Sequence, residues 1–368
     1  MKTLNFASLK ESTSNFWHIS KPYHALIFFI AGFLFDILTL EEVDDMLTLV
    51  SQVLYLLVAV GFFLINAEGK TLTSILPSHP LITKLSVWEE DIFHFALGAL
   101  LNAFTLYFFK SGSLINSLIF LFFMSALLLL NEFRPAFLKH DLIPAILIHT
   151  CLISFTVILA PTLLGHMGTI PFCIGIFVYL ALIALWLKIR KEKITIRPQI
   201  IIAGSLAVFF LGMYVFRIFP PVPLSLKKIG VYHKVEKVQI DGQTRYLTFT
   251  SSPWWKFWSD QSQPFEARPS DQVHVFTRIF APGGFADTVY LEWWWKGAKG
   301  WMRTDRIPLT ITGGRRDGFR GYAYKSNYDI GEWKVLITTS DGLEIGRTFF
   351  DIKKVEADHN VNLITHQF

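Results

Sequence analysis

QIIIAGSLAVFFLGMYVFRIFPPVP, residues 199–223, is where the character of the chain changes. From Gln199 to Phe219 the run is nearly all apolar and long enough to cross a bilayer, which takes about 20 such residues. Pro220, Pro221 and Pro223 then stop the helix, because proline has no backbone N–H to donate and a fixed φ. Six further runs of similar length precede this one, at 24–40, 49–67, 92–110, 113–131, 142–163 and 169–187, and none follows it. The expectation is an all-α bundle of seven transmembrane helices over 24–219, preceded by a polar segment over 1–23. The first apolar run is read as a span rather than a cleavable leader.

Lys and Arg in short loops set orientation. With a cytoplasmic N-terminus, that side holds Lys70, Lys84, Arg134, Lys139, Lys188, Arg190, Lys191, Lys193 and Arg197, whereas the opposite short loops hold Lys110. The first outer loop, Glu41-Glu42-Val43-Asp44-Asp45, is acidic. An odd number of spans then carries the C-terminal region across the bacterial inner (plasma) membrane, into the periplasm or the extracellular space. The net charge of +5 flanks spans instead of gathering on one soluble face, so no nucleic-acid partner is implied. Cys151 and Cys173 both lie in apolar runs, which excludes a disulfide framework or a cysteine-ligated metal beyond residue 220.

Past the prolines the period switches to two. Val231–Ile240 and Arg245–Thr250 flank Asp241-Gly242, a hairpin pattern, and Asp341-Gly342 reads as a second. Further strands are predicted at 273–280, 288–296, 306–312, 320–325, 332–339 and 345–352. The units expected are a linker with a first hairpin (220–272), an all-β antiparallel sandwich of immunoglobulin-like type (273–352) and a tail (353–368).

Polar residues inside apolar runs are costly and invite a functional reading. Asp36 lies about 6 Å past the midpoint of the first run by helical rise, and Lys110, near an outer end, is its expected partner. The plainer reading is a structural ion pair or snorkelling at the interface. Glu90 and His94 share a helical side, with Glu132 on the next turn and His149 deeper. They match no metal-ligand spacing, and solvated helix ends explain most of them.

In the strand around 289–296, alternation sends Val289, Leu291, Trp293 and Trp295 to one face, which reads as core. Tyr290, Glu292, Trp294 and Lys296 go to the other, where Trp294 offers a stacking surface beside Tyr290 and Lys296. Gly313-Gly314-Arg315-Arg316-Asp317-Gly318 reads as a tight connection, with Arg315, Arg316 and Arg320 as anion contacts. Trp254, Trp255 and Trp258 form another group, suited to a groove or to the membrane interface.

From Val275 onward the chain resembles a bacterial family, domain of unknown function 2914. The resemblance rests on Phe276-Thr277-Arg278-Ile279, Val289-Tyr290 with Trp293, Gly318-Phe319-Arg320, Gly331-Glu332-Trp333-Lys334-Val335, Asp341-Gly342 and Ile345-Gly346-Arg347. Leu291 stands where the family pattern has a His. In the membrane half, Gly32-Phe33-Leu34-Phe35-Asp36, Tyr107-Phe108-Phe109-Lys110-Ser111 and Asn131-Glu132-Phe133 resemble the helical region that accompanies this domain. The resemblance implies a β-sandwich outside the membrane and no established activity.

No nucleophile elbow, P-loop or dinucleotide fingerprint is present, and no cofactor is expected. The reading favoured is a non-enzymatic envelope protein that presents its sandwich to a glycan, a lipid head group or a partner protein. The alternative is a transporter or intramembrane enzyme working through Asp36.

Overall fold

The computed structural model describes residues 34, 36–38, 40, 42–67, 88–113, 115–132, 142–189, 196–240, 242–251, 261–356 and 362–368. The helices are α1 (Met46–Ala67), α2 (Glu89–Ser111), α3 (Leu118–Glu132), α4 (Leu142–Leu164), α5 (Thr169–Ile189) and α6 (Ile196–Val215). All but α3 are long and apolar enough to cross a membrane. The run 24–40 lies mostly outside the described residues, although 36–38 are helical. The 15-residue α3 rises only about 21 Å, because the first residues of the expected 113–131 span form a turn instead. Gly112 is extended (φ −96°, ψ 147°) and ends α2, and Ser117 N–H closes the turn on Ser113 O at 2.9 Å.

Helix α4 is central, buried against α2, α5 and α6. Gly175 on α5 makes one crossing tight, since a Cβ there would stand 2.8 Å from Val157 Cα. Small residues at helix contacts let backbones approach in this way. His149, almost fully buried, ties three helices together through Tyr179 Oη (2.8 Å) and Gln199 Oε1 (2.9 Å). The imidazole Nε2–H donates to the amide oxygen and Nδ1 accepts from the phenol, so a neutral ring satisfies both contacts.

The strands are β1 (Ser225–Tyr232), β2 (Lys234–Ile240), β3 (Gln243–Thr250), β4 (Phe265–Ala267), β5 (Val273–Phe280), β6 (Ala286–Gly297), β7 (Gly300–Thr312), β8 (Phe319–Lys325), β9 (Gly331–Thr338), β10 (Glu344–Lys354) and β11 (Ile364–Gln367). They form three sheets, ordered β1-β5-β8, β4-β10-β9-β6-β7 and β11-β3-β2. The expected single strand 231–240 is broken at His233. Its first part pairs with β5, and its second forms the foreseen hairpin with β3. β4 runs parallel to β10, so the largest sheet is mixed where an antiparallel one was expected.

The first two sheets share one core, built from Val231, Val275, Leu291, Trp293, Trp333, Val335 and Phe350 among others. β5 is buried on both faces. Val273 and Val275 face that core, and Phe276 packs with Tyr232, Val235, Tyr246 and Phe368 under the third sheet.

The β-region sits against one end of the helices. Asp44 accepts the Gly283 N–H at 2.7 Å, and Lys227 pairs with Glu42. Ala286 N–H donates to Gly165 O (2.8 Å), and Met167 N–H to Asp287 Oδ2 (2.7 Å). Asn116 bridges Glu344 (2.7 Å) and Arg347 (3.0 Å), and Tyr214 donates to Asp341. The start of α1, the α2–α3 and α4–α5 turns and the end of α6 therefore all lie on the side that carries the sheets.

Candidate functional site

The outward face of β9-β6-β7 concentrates the chemistry of the β-region. Register places Tyr290 beside Thr338, Glu292 beside Leu336, and Trp294 beside Lys334. On β7, Trp293 pairs with Asp305 and Trp294 with Arg303, leaving Thr304 as an extra residue. This bulge decides the site. Arg303 and Arg306 are three apart and would point to opposite faces of a regular strand; one inserted residue brings both to the side of Glu292.

Glu292 is buried although it faces outward. Its carboxylate lies 3.4 Å from Arg303 Nη1 and 3.3 Å from Arg306 Nε, and it accepts from Trp294 Nε1 (3.2 Å) and Thr338 Oγ1 (3.3 Å). A buried charge needs such partners. The cations also cover rings. Arg306 is centred 3.6 Å from the Tyr290 ring, and Lys334 Nζ stands 4.9 Å from Trp294 and 4.6 Å from Trp301. Partial burial, with Arg347 nearby, pulls Lys334 below the usual lysine pKa. The result is a row of half-exposed indoles carrying a centrally placed ammonium, a surface able to stack a flat ligand and hold an acceptor group.

Trp294, Tyr290 and Lys296 thus share this face, with Lys296 paired to Glu332 at 2.8 Å. Trp293 is 1% exposed and edge-on to Trp333. Trp295, expected in the core, is half-buried and packs against the edge of that core, where its Nε1–H reaches Ile330 O at 3.4 Å. Arg320 lies apart, on β8, near Asp317 (3.7 Å) and donating to Thr244 O (3.3 Å). Arg315 and Arg316 sit at the opposite end of the sheet, against the α1 start, beside Glu42, Asp44 and Asp45.

The membrane candidates do not converge. Asn102 donates to Asp36, while Lys110 Nζ donates to Leu40 O at 2.9 Å. His94 meets Asn131 (3.4 Å), Glu132 ends α3, and His149 is engaged elsewhere. The side chain of Glu90 and the tryptophans 254, 255 and 258 lie outside the described residues. Among the described residues no three His, Cys, Asp or Glu side chains gather to hold a metal ion. Sequence reasoning passed over Glu292, Trp301, Arg303, Arg306 and Lys334 as site residues. The alternation of β6 and β9 was legible, but the bulge that aligns β7 with them was not.

Residues 286–352 match the family model described as "Protein of unknown function (DUF2914)", within the segment whose resemblance was read from sequence. No curated protein matches the chain. Among solved structures, a β-glucosidase from Listeria innocua in complex with glucose shares 11% identity over 30% of this chain and 16% of its own (TM-score 0.20). An immunoglobulin-like protein from Pseudomonas aeruginosa shares 10% over 34% of this chain and 97% of its own (TM-score 0.18). The alkylpurine DNA glycosylase AlkC from Pseudomonas fluorescens, bound to DNA, shares 9% over 71% and 64% (TM-score 0.20). The chain spans about a sixth of the length of the first of these. Scores at this level carry no argument about fold or activity.

Proposed function

We propose that the protein is a seven-span inner-membrane protein of the bacterial envelope that holds an immunoglobulin-like sandwich on the non-cytoplasmic side, in the periplasm or the extracellular space. Its role is binding, not catalysis, and the ligand is a glycan chain of the envelope. The observation that carries this reading is the ladder Tyr290, Trp294 and Trp301 with Lys334 between the indoles. Stacking on indole faces with hydrogen bonds from a cationic rim suits pyranose rings. Asp36 is engaged by Asn102, which favours a structural role for it over a transport site.

The test is titration of the full-length protein in lipid nanodiscs with soluble cell-wall oligosaccharides, read by tryptophan fluorescence and calorimetry. Binding lost in Trp294→Ala and Lys334→Met, with unfolding midpoints retained, is the expected result. Equal binding by wild type and both variants would remove the face from consideration. A partner protein bound through Trp294 would replace the glycan.

A further inference from the structure

A second site lies where the sheets meet the helices, independent of what the distal face binds. A cavity of about 220 Å³ opens at the start of α1, lined by Glu42, Asp44, Asp45, Arg315 and Arg316, with Phe280 at its wall. Just below it, an apolar groove of about 230 Å³ runs between α1 (Leu49, Val50, Val53) and α4 (Phe155, Leu159). Met46 lines the cavity, and Val50 and Val53 line the groove. Positions 46, 50 and 53 fall on one helical stripe, spanning about 10 Å along the axis. A polar chamber at the start of α1 is therefore followed, one to two turns along the same helix face, by an apolar slot.

Both arginines are exposed, and their guanidiniums make no hydrogen bond or salt bridge among the described residues, although Arg316 lies close enough to Asp45 to help the Thr48 hydrogen bonds hold its carboxyl below the usual range. Each carboxylate is anchored through one oxygen: Glu42 Oε1 to Lys227, Asp44 Oδ2 to Gly283 N–H, and Asp45 Oδ2 to Thr48. Asp45 also accepts from the Leu47 backbone N–H, whereas Glu42 Oε2 and Asp44 Oδ1 take no donor among the described residues. The chamber thus offers two guanidiniums for a phosphodiester and two open carboxylate oxygens, on Glu42 and Asp44, for the N–H donors of a primary ammonium. With Lys227 counted, the charges balance, so a zwitterion fits and an added net anion does not.

We infer that this chamber and slot bind one phospholipid of the phosphatidylethanolamine type. Its phosphate lies on Arg315 and Arg316, its primary ammonium on the acidic loop and an acyl chain between α1 and α4. Phosphatidylcholine lacks the N–H donors, and phosphatidylglycerol lacks the cation.

The experiment is native mass spectrometry of the full-length protein in mild detergent, supplied in turn with phosphatidylethanolamine, phosphatidylcholine and phosphatidylglycerol. Retention of the first at roughly tenfold lower concentration than the others is expected, a difference of about 1.4 kcal/mol. The Arg315→Gln/Arg316→Gln variant should lose that preference, and Val53→Phe, which fills the slot, should lose retention. Trp294→Ala should retain the lipid, which separates this result from any failure at the distal face. Equal retention of the three lipids, a preference for phosphatidylglycerol, or unchanged retention in Val53→Phe would each overturn the proposal. If the double arginine variant does not fold, Val53→Phe and the lipid comparison still decide.

Discussion

Trp294 donates its indole N–H to Glu292, two residues earlier on the same face of the same strand, at 3.2 Å. The carboxylate therefore orients the ring from below while Arg303 and Arg306 neutralise it from the side. Glu292→Gln keeps the shape but removes the charge that both guanidiniums address. It should cost roughly 1–3 kcal/mol, since both arginines remain partly in water. Chemical denaturation in detergent measures it, and a neutral or stabilising outcome would mean the cluster is held by packing alone.

Adjacent tryptophans should behave oppositely. Trp293→Ala opens a cavity beside Trp333 and Phe350 and should cost about 3–5 kcal/mol. Trp294→Ala should cost much less and act on binding instead. Equal losses of stability would place both residues in a core and withdraw the stacking surface.

His233 gives the β-region an acid limit. Its side chain is 3% exposed and stacks on Phe265 at 4.3 Å. Burial pushes its pKa down from 6.5 to about 4, against the pull of Asp271. Between those values the unfolded chain binds a proton that the folded chain does not. Stability is therefore intact above pH 6.5 and falls as pH drops toward 4, by at most about 3 kcal/mol. Denaturation midpoints from pH 7.5 to 4.5 should show the fall, and His233→Gln should flatten it. A wild-type profile as flat as the variant's would contradict this account.

Orientation is tested by thiol labelling after replacement of Cys151 and Cys173. A cysteine at Ser340, exposed beside the β9–β10 turn, should react with an impermeant reagent on intact spheroplasts. One at Lys188, near the other end of α5, should react only after lysis. The reverse pattern would invert the proposed topology.

Much of the helical architecture was legible because a spanning helix needs only length and apolarity: α1, α2, α4, α5 and α6 fall within a few residues of the predicted runs. Strand positions were legible from alternation for the same local reason. What escaped was non-local. His233 moves the chain from one sheet to another, and short β4 and β11 exist only by virtue of partners far along the chain. Within the candidate site, Tyr290, Trp294 and Lys296 could be grouped from one strand. Arg303 and Arg306 join them only through a one-residue bulge that no local pattern marks. The truncation of α3 likewise depends on Asn116 having Glu344 to meet.

The β6–β7 hairpin begins against the α4–α5 turn at Ala286 and reverses at Gly297 and Gly300, roughly 35 Å further along the strand. Because the near end is fastened at several separate points, the hairpin works as a fixed-length ruler and not as a tethered probe. A ligand of the proposed kind at Trp294 and Trp301 would lie at a set height within reach of that tip. A longer or shorter hairpin would change which layer of the surroundings is sampled without changing a single contact residue.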